Sequence, residues 1–179
     1  FTEDADVLRR RLALLHRELG DPWPDVSDAG LAARAEELLS TALDTAAPGP
    51  IGVDRLRGLL PWPEATRLDE LAPARLPVPS GSAIRVDYPE PGSDAAPLLA
   101  VKLQECFGLA DTPALVDGRV PVVLHLLSPA GRPLAVTGDL RSFWDGPYAQ
   151  VRAEMRGRYP KHPWPEDPWT AQATKRTKR

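Results

Sequence analysis

The chain has 179 residues, and its 22 Lys and Arg against 25 Asp and Glu give a formal net charge of −3. A 42% apolar fraction is close to the globular norm, and a chain of this length folds without disulfides or a structural metal. One cysteine excludes an internal disulfide, and no apolar run is long enough to span a membrane. The first residues show neither an initiator Met nor a signal-peptide pattern, so we expect a cytoplasmic segment of a longer protein.

Charge is distributed unevenly along the chain. Residues 1–140 hold 13 basic and 21 acidic side chains, a net charge of −8, whereas residues 141–179 hold 9 and 4, a net charge of +5. A polyanion is therefore expected to bind the C-terminal fifth of the chain. The alternative is a solvated helix face followed by a basic tail with no binding role.

Helical patterns dominate residues 1–72. Four leucines recur at spacings of four, three and four within residues 7–19, which places them on one helix face: Leu8, Leu12, Leu15 and Leu19. Ser27 or Asp28 can cap a second helix, whose apolar stripe is Leu31, Ala35, Leu38 and Ala42. Two short helices are expected over 53–60 and 63–72. These residues therefore predict an N-terminal helical part.

Residues 73–168 show the pattern of a small α+β domain. Alternation at Ile84, Val86 and Tyr88 predicts a half-buried strand, and residues 98–107 favour a helix. Asp117-Gly118 predicts a type I′ turn between strands over 114–116 and 119–127. The second of these strands is apolar on both faces, which is typical of a central strand.

A third strand over 134–137 is followed by helices that Asp139 and Pro147 open. The predicted fold class is α+β: an N-terminal helical part, then a small antiparallel β-sheet packed by one or two helices. Residues 169–179 are expected to form a basic, disordered tail.

The tripeptide Pro-Trp-Pro occurs at 22–24, 61–63 and 163–165. Two fixed φ angles around a tryptophan hold the ring stiffly, so it can be buried at low entropic cost. We expect Trp144 and at least two of Trp23, Trp62 and Trp164 to be mostly buried. The alternative is that these rings are exposed platforms that stack on a base or a partner.

The sequence contains no recognisable catalytic constellation. It has no Gly-rich phosphate loop and no nucleophile elbow, and its three histidines lack metal-ligand spacing. Asp69-Glu70-Leu71-Ala72 resembles part of a helicase acidic box, but it lacks the final His and follows no buried strand. His125 is expected to be a hydrogen-bonded core residue and Cys106 an inert buried thiol. We therefore predict no catalytic residue, metal ligand or cofactor in this chain.

Basic and aromatic side chains alternate in the C-terminal stretch. Arg152 and Arg156 are four residues apart on one helix face, with further cations and rings directly after them. Cations beside aromatic rings suit phosphate contact and base stacking. The candidate nucleic-acid-binding residues are Arg152, Arg156, Arg158, Lys161, His162 and Trp164. Alternatively, the rings belong to the core and the arginines pair with Asp145, Glu154 and Glu166.

The run HLLSPAGRPLAVTGDLRSFWDGPYAQVRAEMRGRYPKHPWPEDP carries a family resemblance. It resembles the C-terminal region of bacterial ATP-dependent helicases of the HrpB family, in the DEAH/RHA group of RNA helicases. LLPWPEATRLDELAPARLPVPSGSAIRVDYPE and LLAVKLQECFGLADTPAL are similar to the same region. With a weaker match in LRRRL and WPDVSD, the resemblance covers nearly the whole chain.

This resemblance implies a parent protein whose motor domains hydrolyse ATP with Mg²⁺, and none of that machinery matches a position in this sequence. It implies that the chain is an accessory domain. We expect it to dock on the motor domains of its parent chain and to help guide single-stranded nucleic acid, expected to be RNA. The alternative is a protein–protein docking module that never contacts nucleic acid. An independent small enzyme is the third possibility, and no constellation of residues supports it.

Overall fold

The computed structural model describes residues 1–40 and 49–177. The chain divides into two compact units, one formed by residues 1–74 and 88–95 and the other by residues 75–87 and 96–179. The first unit holds 8 basic and 16 acidic residues, a net charge of −8, and the second holds 14 and 9, a net charge of +5. Residues 141–179 account for the whole positive charge of the second unit, because its other residues have a net charge of zero. The domain boundaries expected at 72/73 and 168/169 stay predictions.

The first unit begins with its longest helix, α1 (Glu3–Leu19). The Thr2 hydroxyl accepts a hydrogen bond from the Ala5 amide at 3.3 Å and caps this helix, and its first turn is acidic, as the helix dipole favours. Gly20, at φ 65°, ends it. The predicted helix is confirmed. The predicted apolar face is buried at Leu8, Leu12 and Leu15.

Short helices make up the rest of the first unit. They are α2 (Asp28–Ala33), α3 (Ala35–Ser40), α4 (Val53–Arg57), a 3-10 turn (Glu64–Arg67) and α5 (Leu68–Leu71). Ser27 is the predicted cap, since its hydroxyl accepts from the Gly30 amide at 3.1 Å. The single second helix that the sequence predicts is interrupted at Arg34, and Ala42 of its stripe lies outside the described residues.

Arg11 ties α1 to the end of α5 within the first unit. Its Nε donates to the Ala72 carbonyl at 2.6 Å, and its guanidinium forms an ion pair with Asp69. Nearby, the Tyr88 hydroxyl donates to the Pro73 carbonyl at 2.6 Å, and burial raises the pKa of this tyrosine above its ordinary range. Asp69 and Glu70 are exposed on the short helix α5, whereas Leu71 and Ala72 are buried.

The second unit contains a three-stranded sheet and two small hairpins. One hairpin pairs β1 (Arg75–Pro77) with β2 (Ala83–Arg85), and the other pairs β4 (Ala114–Leu115) with β5 (Val120–Pro121). The larger sheet has the order β3-β6-β7, with β3 (Leu98–Lys102), β6 (Val123–Leu127) and β7 (Pro133–Thr137). The α+β class is confirmed. The sheet is mixed rather than antiparallel throughout, because β3 runs parallel to β6.

The prediction of a helix over residues 98–107 is wrong. Residues Leu98–Lys102 form β3, and only Leu103–Cys106 are helical, as a single 3-10 turn. The physical reason is a non-local pairing: Leu98 through Lys102 are in register with Val123 through Leu127. Leu99 and Val101 are buried beside that partner strand, and tertiary burial outweighs local helix propensity here.

The Asp117-Gly118 turn is confirmed. Both residues have positive φ, 54° and 84°, and the Arg119 amide donates to the Val116 carbonyl at 3.1 Å. The predicted strand over 119–127 is divided into β5 and β6, and β6 is the middle strand of its sheet. His125 is half-buried on β6.

Aromatic rings fill the core beside two helices, α6 (Leu140–Asp145) and α7 (Tyr148–Arg158). The rings of Trp144 and Tyr148 meet edge to face, with centroids 5.2 Å apart, and Phe107 lies 6.0 Å from Trp144. The indole nitrogen of Trp144 donates to the Leu109 carbonyl at 2.8 Å. Asp139 caps α6 and Pro147 opens α7, as the sequence predicts.

Tryptophan burial agrees with the prediction. Trp23, Trp144 and Trp164 are 3%, 3% and 5% exposed, whereas Trp62 is 68% exposed. The same Pro-Trp-Pro tripeptide therefore supplies two core anchors and one surface ring.

Part of the C-terminal segment is hydrogen-bonded to the second unit. The Gly108 amide donates to the Pro168 carbonyl at 2.8 Å, and the Thr174 amide donates to the Gln104 carbonyl at 3.2 Å. Residues 168–174 therefore run beside the turn at 104–108.

Candidate nucleic-acid interface

Helix α7 positions the predicted contact residues. Pro147 supplies a preset φ at its start, and its buried side chains, Tyr148 and Met155, lie two turns apart on one face. The Tyr159 amide donates to the Met155 carbonyl at 2.7 Å and ends the helix. Residues 156–161 therefore occupy the last turn of α7 and the turn that follows it.

Three of the six predicted residues are exposed cations at this end of the helix: Arg156, Arg158 and Lys161. We call these three residues the basic end of α7. Within the described parts of the chain, no carboxylate forms an ion pair with any of them. Their charges are therefore available to a ligand, and they also oppose the negative end of the helix dipole.

Arg152 is also a predicted contact residue, but it does not belong to this exposed group. Its side chain is 20% exposed, and its Nε donates to the Trp164 carbonyl at 2.8 Å. Its Nη2 lies 3.6 Å from Glu166. Arg152 is held by contacts inside the unit, because the segment after α7 folds back over it.

The predicted role of Trp164 as a stacking surface is also corrected. This ring is 5% exposed, and its indole nitrogen donates to the Tyr159 carbonyl at 2.9 Å. A buried ring presents no open face to a base. Trp164 instead anchors the segment after α7, as its Pro-Trp-Pro context predicts.

His162 lies in the turn between the basic end and this anchor. Its amide donates to the Tyr159 carbonyl at 3.1 Å, and its half-buried ring meets the Tyr159 ring edge to face at 6.4 Å. Its Nδ1 is buried without a hydrogen-bond partner in the described structure. The structure thus places His162 beside the basic end, with its ring partly turned inward.

Arg132 is a further cation at this surface, and the sequence pattern does not predict it. It shares a cleft of about 210 Å³ with Arg158, lined by Ser128, Arg132, Pro133, Leu134, Glu154, Met155, Arg158 and Tyr159. The available signal is an arginine in the tight turn Ser-Pro-Ala-Gly-Arg-Pro between two strands. The turn is distant in sequence from α7, and only the tertiary structure brings the two arginines to one cleft.

Two other reactive side chains of the second unit, Cys106 and Glu105, are buried. Burial raises the pKa of the Cys106 thiol to about 12, and the neighbouring Glu105 carboxylate adds to the rise. Glu105 itself accepts hydrogen bonds from the hydroxyls of Ser80 at 2.9 Å and Ser82 at 2.6 Å. In residues 1–40 and 49–177, no group of three or more His, Cys, Asp or Glu side chains is arranged to hold a metal ion.

Fold and surface together define a class of α+β domain that presents cations at a helix end. Over the described residues, no helix is both long and apolar enough to cross a bilayer. A family model described as ATP-dependent helicase C-terminal, HrpB_C, matches residues 41–168. The chain belongs to this family, as the run from His125 to Pro168 indicates.

Named relatives agree with this assignment. The ATP-dependent RNA helicase HrpB of Escherichia coli strain K12 is 45% identical over 185 residues, which span all of this chain and 22% of that protein. A crystal structure of the E. coli DExH-box NTPase HrpB has a TM-score of 0.89 and 44% identity, covering 99% of this chain and 22% of that one. A crystal structure of the E. coli DEAH/RHA helicase HrpB has a TM-score of 0.72 and 43% identity, covering 91% and 21%. This chain thus spans about a fifth of the length of the relatives it matches.

Proposed function

We propose that this chain is the C-terminal accessory domain of an ATP-dependent helicase, which docks on the motor domains and helps guide single-stranded nucleic acid. The observation that carries the proposal is the basic end of α7. Arg156, Arg158 and Lys161 are exposed together on a unit of net charge +5, and no described carboxylate neutralises them. RNA is the proposed strand, because the E. coli relative is named an RNA helicase.

Contacts of this kind position a strand without reading its bases. Lysine and arginine bind phosphate oxygens, which are the same at every nucleotide, and binding releases condensed counterions. A surface with these cations and no exposed ring among its predicted contacts suits a strand that slides through as a motor moves it. Weak, sequence-tolerant and strongly salt-dependent binding follows from this chemistry.

ATP and Mg²⁺ have no proposed role within this chain. The phosphate loop that would hold them is absent from the sequence, so both belong to the motor domains proposed for the parent protein. The proposal includes a cytoplasmic location, since a helicase acts where its nucleic acid and ATP are present.

A second candidate function is docking to protein without contact to nucleic acid, and a feature of the first unit favours it. Trp62 is 68% exposed and lines a groove of about 470 Å³, in which apolar side chains such as Leu60 lie beside charged ones such as Arg57. Exposed tryptophans are common at protein interfaces. The unit that carries this groove has a net charge of −8, which disfavours nucleic acid as its ligand.

The deciding experiment compares two triple variants of this chain with matched changes in charge. The first replaces Arg156, Arg158 and Lys161 by Ala. The control replaces three exposed arginines of the same unit that have partners of their own: Arg75, Arg85 and Arg141. Binding of a fluorescent uridine oligonucleotide is measured by anisotropy over a series of salt concentrations.

Under the proposal, the first variant weakens binding and lowers the log–log salt slope by about 0.7 for each phosphate that is no longer neutralised, which reaches about 2 when the three cations contact three separate phosphates. The control should change both quantities much less. Equal effects of the two variants would mean that binding reflects only non-specific charge attraction. Absence of binding by the parent chain at low salt would favour the protein-docking function.

A further inference from the structure

We propose that the cleft between Arg132 and Arg158 is a subsite for a single phosphodiester of the strand, which both guanidinium groups bind together. This inference rests on the proposed function and adds Arg132 to the contact surface. It also assigns a particular place in the molecule to one phosphate.

The turn that carries Arg132 is held by its own hydrogen bonds. The Ser128 amide donates to the Arg132 carbonyl at 2.8 Å, and the Arg132 amide donates to the Ser128 hydroxyl at 3.1 Å. Gly131, at φ 80°, permits this tight geometry. The backbone of Arg132 is thus fixed before a ligand arrives, and only its side chain must be ordered on binding.

Arg158 enters the same cleft from a different element. It is the last residue of α7, whose backbone is fixed by the buried Met155 and by the bond from the Tyr159 amide to the Met155 carbonyl. Met155 and Tyr159 both line the cleft, and Met155 belongs to the core. Two fixed elements therefore each present one exposed guanidinium group to the same cleft.

The chemistry of the cleft favours a phosphodiester. Each guanidinium offers several N–H donors in a planar arrangement that matches phosphate oxygens, and arginine keeps its charge at any physiological pH. The volume of about 210 Å³ accommodates a phosphate group with its ester oxygens. Arg132 and Arg158 are both exposed, so a strand at the surface can reach both of them.

Glu154 is the one acidic side chain among the described residues that line this cleft. It is exposed, and it precedes Arg158 by one helical turn. Its carboxylate repels a phosphate and competes for the same guanidinium groups. Neutralising Glu154 should therefore strengthen binding, an effect opposite in sign to that of the arginine variants.

The test is a double-mutant cycle on the full 179-residue chain with a uridine oligonucleotide, using Arg132→Ala, Arg158→Ala and the double variant. When two arginines share one phosphate, either alone still neutralises it. Each single variant then weakens binding but keeps nearly the parent salt slope, and the double variant lowers the slope by about 0.7. If each arginine bound a phosphate of its own, the slope would instead fall by about 0.7 in each single variant and by about 1.4 in the double variant. That result would overturn the shared subsite.

Two further variants complete the design. Glu154→Gln should raise affinity several-fold at low salt, and Arg141→Ala is the control for removal of one exposed arginine of the same unit. If Arg132→Ala binds as Arg141→Ala does while the triple variant of the basic end loses binding, the subsite is refuted and the proposed function stands. If the parent chain binds no oligonucleotide, both are refuted. Thermal melting of every variant should match the parent, because the replaced side chains are exposed.

Discussion

The Nε atom of Arg152 donates a hydrogen bond to the carbonyl oxygen of Trp164 at 2.8 Å. A residue that looks in sequence like the start of a basic surface therefore fixes the polypeptide that returns past α7. The Trp164 ring in turn donates to the Tyr159 carbonyl at 2.9 Å, and the Tyr148 hydroxyl donates to the Pro165 carbonyl at 2.6 Å. The bonds from Arg152 and Tyr148 hold the segment after α7 against the helix, and the bond from Trp164 to Tyr159 closes that segment on itself.

Arg152→Ala is expected to destabilise the protein by about 1–3 kcal/mol, because it removes a charged donor from a half-buried carbonyl. Arg152→Lys should recover part of the loss, since an ammonium can donate one bond. Arg156→Ala is the control with the same chemistry on the exposed side of α7, and it should cost less than about 0.5 kcal/mol. Urea unfolding measures all three. Equal stability of the Arg152 and Arg156 alanine variants would contradict a structural role for Arg152.

The three Pro-Trp-Pro tripeptides should differ sharply in their contribution to stability. Trp23→Ala is expected to cost about 3–5 kcal/mol, as for other buried aromatic residues, and Trp164→Ala should be comparable. Trp62→Ala, at a 68% exposed ring, should cost less than about 1 kcal/mol. Differential scanning calorimetry distinguishes these values. A large loss of stability on replacement of Trp62 would mean that its ring is buried in solution.

Gly118→Ala should destabilise the protein by about 1–2 kcal/mol through the backbone alone. Gly118 has φ 84°, and a Cβ added there meets no atom within 4 Å, so no steric clash contributes. Gly157→Ala is the matched control, because Gly157 lies within α7 with equally open surroundings. That change should stabilise the protein slightly, by up to about 1 kcal/mol, since alanine favours the helix. Effects of the same sign in the two variants would contradict the assigned turn.

Cys106 should make stability depend on alkaline pH. Its pKa rises from 9.0 to about 12 on folding because the thiol is buried. Because the folded-state pKa is the higher one, the thiol's contribution to stability is complete below pH 9.0 and is lost as the pH rises toward about 12. Between these two values, the unfolded chain holds a thiolate and the folded chain still holds a thiol. Comparing urea unfolding of the parent and Cys106→Ala over this pH range isolates the effect from the buried tyrosines. The stability advantage of the parent should narrow with increasing pH, and a constant difference would show that the thiol titrates normally.

The purified chain is expected to hydrolyse no ATP. The sequence offers no Gly-rich loop whose amides could hold a triphosphate with Mg²⁺. A phosphate-release assay on the chain after two orthogonal purification steps checks this. Hydrolysis that co-elutes with the chain through both steps would refute the prediction.

Much of the local structure could be predicted because its determinants are adjacent in sequence. The leucine spacing of α1, the Ser27 and Asp139 caps, and the Asp117-Gly118 turn each act within a few residues. The basic character of the segment after residue 140 is also a property of composition. The helix predicted over 98–107 is wrong because LLAVKLQECF suits a helix locally, whereas its partner strand lies some 25 residues further along the chain.

By itself, the sequence determined the α+β class, the order of most helices and strands, the family, and the presence of cations near residue 156. Only the tertiary structure decided which of those cations face solvent. Arg152 and Arg156 are one helical turn apart and chemically identical, yet one bonds a carbonyl and the other is exposed. Trp62 and Trp164 share one tripeptide and differ more than tenfold in exposure. The physical reason is that exposure depends on which distant segment packs over a side chain, and that pairing is set by the free energy of the whole fold rather than by neighbours in the chain.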